Sequence, residues 1–252
     1  MGNFSAKFIK DINSSSSDSD PKNFVEFGNY VYFTADDGTN GRELWRTDGT
    51  ESGTTLFKDI YSGSNTSNIG NLTVVGNYIF FTADDGTNGL ELWKTDGTES
   101  GTSLIKDINS GSEDAISASN NKNLQLIHIG NTVYFAANNG TNGFELWKTD
   151  GTEAGTSLVK DINSGSGNSY PPMYKINAAT INDSKLIFSA DDGSHGAELW
   201  ITDGTESGTS LIKDINTGTL DPNGTGRGVW GVLNNAVLND YVYFSAYDSS
   251  GD

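Results

Sequence analysis

The sequence predicts an all-β fold, a five-bladed β-propeller built from four-stranded repeats of roughly fifty residues. Three observations carry this expectation. The phrase ELWxTDGT occurs four times, around Trp45, Trp93, Trp147 and Trp200. An aromatic and β-branched phrase of the YVYFTADDGTNG type precedes each copy, starting at Tyr30, Tyr78, Thr132 and Lys185, and recurs from Tyr241. A third phrase of the LIKDI type follows each Trp, and another copy, KFIKDI, stands alone at residues 7–12. No 3.6-residue periodicity competes with these runs, so strands explain them and helices do not.

Each repeat offers four strand candidates, A to D. Strand A is a short apolar stretch, such as NLTVV at 71–75, LQLIHI at 124–129 or NAVL at 235–238. Gly-Asn or Asn-Asp follows it, a pair suited to a two-residue hairpin with positive φ. Strand B is the YVYFTA phrase, strand C the ELWxT phrase, and strand D the LIKDI phrase reached through DGTESGT. Strands B and C carry bulk on both faces, as in Tyr78-Ile79-Phe80-Phe81. Such strands belong to sheets packed on both sides, which favours a propeller over a flat solenoid. The single domain spans 1–252, with repeats at about 13–60, 61–108, 109–162, 163–215, and 216–252 joined by 1–12. The fifth repeat has strands A and B but no ELW. Closure of the ring therefore needs residues 7–12 to join the sheet of residues 241–246.

Composition sets limits on partners. The 252 residues are long enough for a real core, yet only 34% are hydrophobic, and the 31 glycines fit many tight turns. A net charge of −18 argues against nucleic acid and anionic membranes. It is compatible with cations or neutral sugars. The absence of cysteine excludes disulfides, thiolate catalysis and zinc-thiolate sites. No apolar run has the length of a membrane helix, so membrane insertion is not expected. The opening MGNFSAKFIKDI lacks a secretion signal, which leaves either a cytoplasmic protein or a piece of a longer one.

The phrases ELWRTDGT, ELWKTDGT (twice) and ELWITDGT resemble the ELWxxDGT repeat of bacterial surface proteins. The likeness covers essentially the whole chain and implies an extracellular or cell-surface setting. By blade count the chain also resembles the tachylectin-type five-bladed sugar-binding propellers, an analogy of architecture that does not fix function.

Several residues are candidates for a site. The repeated Trp could stack on sugars, but one large ring at the same place in every unit reads better as packing between blades. Trp230, among glycines in the longest D-to-A connection, is a candidate ligand contact. So are Tyr170 and Tyr174 in another long connection, because variable loops on a rigid scaffold tend to carry binding. The ADDGTNGxE turns offer Asp36, Asp37, Asp84, Asp85, Asp191 and Asp192, with Glu43, Glu91 and Glu198 nearby, as oxygen ligands for Ca²⁺. Their spacing is not that of an EF-hand, and the same residues suit a turn that satisfies itself. The TADDG core is similar to an Asp-box hairpin, with Gly41, Gly89 or Gly196 where that hairpin has an aromatic. Lys106 and Asp107 read as a solvated outer edge. The conspicuous acids are repeated four times, and the equivalent inner-strand positions, Glu26, Val74, His128, Thr180 and Val237, provide no pair of carboxylates. Catalysis is not expected. The sequence reads as a non-catalytic module binding a glycan or cell-surface component. The competing reading is a structural unit of a surface layer or filament that contacts other surface proteins.

Overall fold

The computed structural model describes residues 6–117, 126–169, 178–215, 236–238 and 241–243, and every regular element among them is a β-strand. The first sheet holds β1 (Lys22–Phe27), β2 (Tyr30–Asp36), β3 (Arg42–Thr47) and β4 (Thr55–Lys58). The second holds β5 (Gly70–Val75), β6 (Tyr78–Asp84), β7 (Leu90–Thr95) and β8 (Ser103–Leu104). The third holds β9 (Ile127–Ile129), β10 (Thr132–Asn138), β11 (Phe144–Thr149) and β12 (Ser157–Lys160). The fourth holds β13 (Ala178–Ile181), β14 (Lys185–Asp191), β15 (Ala197–Thr202) and β16 (Ser210–Lys213). Each is an antiparallel meander in chain order, and β17 (Ala236–Leu238) pairs with β18 (Tyr241–Tyr243) as a separate ribbon. Among the described residues no sheet closes on itself. β1 approaches β5, so these neighbouring sheets meet along their A strands, in a propeller-like β arrangement.

The local chemistry of each phrase explains the strands it makes. Gly28, Gly76 and Gly130 take φ of 62°, 59° and 55° at the A-to-B turn, and Asn182 and Asp183 both take positive φ at the fourth. These are the Gly-first and doubly left-handed hairpins whose twist matches that of the flanking strands. The TDGTESGT phrase folds into a turn that satisfies its own polar atoms. In the first copy Asp48 Oδ1 accepts the Thr50 N–H at 2.9 Å, and the Thr47 and Thr54 hydroxyls meet at 2.7 Å. The same hydroxyl pair recurs at Thr95–Thr102, Thr149–Thr156 and Thr202–Thr209.

Packing between sheets falls to the repeated aromatics. Trp93 lies in one apolar cluster with Phe81 and with Tyr32, Leu44 and Ile60 of the preceding unit. Trp147 meets Leu92 and Ile108 in the same way, and Trp200 meets Leu146 and Ile162. The indole Nε1 atoms of Trp45, Trp93 and Trp147 make no hydrogen bond, so these rings hold by packing. Fully burying a ring of this size stabilises each seam by a few kcal/mol.

Polar stitches complete each seam. Glu43 of the first ELW phrase is fully buried, and its carboxylate accepts the N–H of Ile60 at 2.8 Å and of Ser67 at 3.1 Å. Glu91, Glu145 and Glu198 accept the N–H of Ile108, Ile162 and Ile215 in the same fashion. The ELW acid therefore pins the exit of its own strand D. Ser67 then bridges two sheets, donating its N–H to Arg42 O and accepting from Asp84 N, and Ser169 does the same between Phe144 O and Asp191 N.

One expectation is corrected. Lys106 is no solvated edge: its Nζ donates to Thr156 O of the next unit at 3.0 Å, and Asp107 Oδ1 is buried. The N-terminal phrase forms no strand, and β18 pairs only with β17 among the described residues. Residues 7–12 dock on the first unit, as the end of a preceding blade would. Ile12 packs on Phe33, Ala35 and Trp45, and Lys10 Nζ donates to Thr54 O at 2.8 Å.

Candidate functional site

The B-to-C turns and the D-to-A connections share one face, and the predicted ion ligands lie there. Asp36 Oδ1 accepts the Gly38 N–H at 2.7 Å. Asp37 Oδ1 accepts those of Thr39 and Asn40, while its Oδ2 takes Asn40 Nδ2 at 2.8 Å. Asp84 and Asp85 repeat this arrangement, as do Asp191 and Asp192, where His195 replaces the Asn. Partial burial works against ionisation of Asp37 and Asp85, yet the bonds from Asn40 and Asn88 outweigh it and hold both below the ordinary range. Each acidic pair is thus turned onto its own backbone. Among the described residues no group of three or more His, Cys, Asp or Glu side chains is gathered as an ion would need. The other predicted contacts, Tyr170, Tyr174 and Trp230, lie outside the described residues.

The buried acids of the ELW phrase have a different character. Burial is the main influence on Glu43, Glu91 and Glu145, and it pushes them up to about 7, 8 and 7. Asp59, Asp107 and Asp161 add like-charge repulsion to this. Each accepts backbone N–H groups inside its seam and has no exposed surface.

A cavity opens on the same face between the first two units. It measures ≈ 660 Å³ and is lined by the starts of β1, β3 and β5 together with the connection at Thr66 and Asn68. Lys22, Arg42 and Phe24 supply its charge and its aromatic surface. Arg42 is fixed: Nη1 donates to Asp20 O at 2.6 Å and Thr34 O at 3.4 Å, and Nη2 meets Asp20 Oδ2 at 3.1 Å. Lys22 Nζ pairs with the same Asp20 carboxylate, and that pairing, followed by the nearby charges, holds Asp20 below its usual value. Phe24 is 61% exposed and stacks on Phe33 with ring centroids 5.3 Å apart.

The backbone around this cavity is unusual. Asp20, Asn23, Asn68 and Asn71 have φ of 42°, 56°, 50° and 59°, and the only other non-glycine residues so placed are the hairpin pair Asn182 and Asp183 among the described residues. Asn and Asp adopt left-handed conformations more readily than other side chains, and these four fall at two equivalent positions of the first two units. Asn23 and Asn71 sit at register shifts in the A-to-B pairings. Attention to repetition hides this cavity in the sequence. Its signal is departure from the repeat, since Arg42 stands where the other units have Leu90, Phe144 and Ala197, and Lys22 where the second has Gly70.

No family model and no curated protein matches the chain. Among solved structures it is similar to a puromycin hydrolase S511A mutant complexed with PGG, at 15% identity and a TM-score of 0.51, covering 78% of this chain and 31% of that one. A second puromycin hydrolase structure gives 16% identity and a TM-score of 0.49, covering 76% and 30%. TolB from Acinetobacter baumannii gives 12% identity and a TM-score of 0.41, covering 88% and 50%. The chain thus spans about a third of the length of the hydrolases it resembles. At this identity the likeness shows a propeller-like β fold and nothing of activity.

Proposed function

We propose that the chain is a non-catalytic extracellular binding module whose connection-bearing face takes a glycan or another surface component. The observation that carries this reading is the cavity between the first two units. There, an exposed aromatic ring, a fixed guanidinium and an exposed lysine meet on a rigid scaffold, the two cations at positions where the second unit carries neither. Cavities of several hundred Å³ with a few placed polar groups are the usual form of small-ligand sites. The extracellular setting rests on the likeness of the ELWxTDGT phrases to those of bacterial surface proteins. A glycan array probed with and without Ca²⁺ tests the reading. Binding to a defined set of glycans is expected, and no signal in either condition overturns it.

The reading includes a closed five-bladed ring. Its support is that, apart from Phe24 on the cavity wall, the exposed large hydrophobics among the described residues belong to the two ends of the chain, where a fifth blade would pack. Ile212 is 45% exposed, while its equivalents Phe57, Ile105 and Val159 are buried; Tyr243 is 56% exposed, while its equivalents Tyr32, Phe80 and Tyr134 are buried. Phe8 and Tyr241 complete the set. The same apolar ends favour one other reading, a structural unit of a surface layer or filament in which a neighbouring molecule covers them. Light scattering over a concentration series separates the two. A particle of constant mass supports the ring, and growing chains support the filament.

A further inference from the structure

We infer that the cavity between the first two units is a subsite for a carboxylate-bearing saccharide, a hexuronate in its simplest form. This inference rests on the binding-module reading and narrows its ligand. The argument starts from charge. The chain has 15 basic residues against 33 acidic ones, yet Lys22 and Arg42 converge on one cavity at positions where the second unit carries Gly70 and Leu90. Asp20 is the counter-ion that both of them meet. Asp36, the cross-strand partner of Arg42, turns its Oδ1 to the Gly38 N–H of its own turn. Lys22 Nζ is the exposed cation of this group, and a ligand carboxylate can take it in place of Asp20. The net charge of −18 over the whole molecule disfavours a polyanion.

Geometry points to the same ligand. The two backbone carbonyls and the Asp20 carboxylate fix the plane of the Arg42 guanidinium before any ligand arrives, and preorganisation of this kind is what a planar carboxylate exploits. The Lys22 side chain is 59% exposed and free to turn from Asp20 toward a second carboxylate. Phe24 presents a ring face backed by Phe33, with Leu72 also on the cavity wall. A pyranose ring has an apolar face that suits such a surface and a carboxylate on its rim that suits the cations. The left-handed backbone at Asp20 and Asn23 places both features at the start of one strand.

The test uses the full chain, with glucuronate and glucose as probes in titration calorimetry. Wild type is expected to bind glucuronate about tenfold tighter than glucose, the worth of one charge-assisted hydrogen bond. The double variant Lys22→Gly with Arg42→Leu installs the residues of the second unit, so its melting temperature is expected to stay unchanged while the preference disappears. Lys22→Ala alone, at an exposed side chain, is expected to lose part of the preference and guards against misfolding of the double variant. Phe24→Ala is expected to weaken both sugars alike. Equal affinity of wild type for the two sugars overturns the inference, and so does an undiminished preference in the folded double variant. If the array shows neutral glycans bound by wild type and double variant alike, this subsite is wrong and the binding-module reading stands. If wild type binds no glycan, both fail.

Discussion

The acid of each ELW phrase shows how one residue can look like a ligand and serve as a fastener. Glu91 has no exposed surface, and its Oε1 accepts the N–H groups of Ile108 and Asn109, each at 3.1 Å. Burial, helped by the charges of Asp107 and Asp114, lifts it to about 8, well above the 4.5 of a free glutamate. A raised value in the folded state means that folding takes up a proton between about pH 4.5 and 8. Stability from this group is therefore complete below 4.5 and is lost as pH rises through the folded value. Glu43 and Glu145, lifted to about 7, act in the same direction. Asp37, Asp85 and Asp192 are held low, so they contribute above their unfolded value and lose that contribution only on strong acidification. The melting temperature is accordingly expected to be higher at pH 5.5 than at pH 8.5. Glu91→Gln retains an acceptor for the two N–H groups without a charge to bury. It should be destabilised less at pH 8.5 than at pH 5.5, and to flatten the profile. A variant that loses more at the alkaline end would mean that the folded protein holds this carboxylate ionised.

At the scale of the element, strand phrases were readable from sequence and inter-unit joints were not. The B and C strands begin and end within a residue or two of the phrases that predict them, because bulk on both faces leaves a doubly covered strand as the only economical outcome. Trp as a seam filler was legible for the same reason. Truncating Trp147, 5% exposed between the second and third units, should cost about 3–5 kcal/mol in chemical denaturation. A loss under about 1 kcal/mol would show that the seam collapses around the gap. What stayed hidden were contacts between phrases far apart in the chain, such as the reach of Lys106 to Thr156 and the cavity walls shared by β1, β3 and β5. A repeat pattern reports what units have in common, and the cavity is built from what the first unit does not share. Gly89 shows a partial signal with a later explanation. It stands where an Asp-box hairpin has an aromatic, and it does so because the connection runs over it. A Cβ there would collide with the backbone carbonyl of Glu113, and φ is +67°. Gly89→Ala should therefore destabilise by roughly 2 kcal/mol or more, while Gly63→Ala, with open space around it, should cost only its backbone strain.

At the scale of the whole molecule, the two ends of the chain carry the remaining question. The N-terminal phrase is already docked: Ile12 fills the Trp45 seam and Lys10 reaches Thr54 O, as Lys160 of the third unit reaches Thr209 O of the fourth. At the other end, Ile212 and Tyr243 present apolar surface that their counterparts bury. On the proposed ring, residues 7–12 and the β17–β18 ribbon form one blade lacking its C strand, so the D phrase must slide inward to pair with β18. An unmade backbone bond there costs on the order of 1–3 kcal/mol if buried, which drives the slide. Removing residues 1–13 then does two things, baring Trp45 and opening the ring. The first effect is local and can be reproduced by Ile12→Ala, which should cost about 2–4 kcal/mol while leaving the ring intact. The second is global, and it should lower the melting temperature well beyond Ile12→Ala and release the ribbon to fast amide exchange at Val242. If the deletion and the point variant melt together and Val242 exchanges equally in both, the N-terminal phrase only covers the first unit and the ends do not meet.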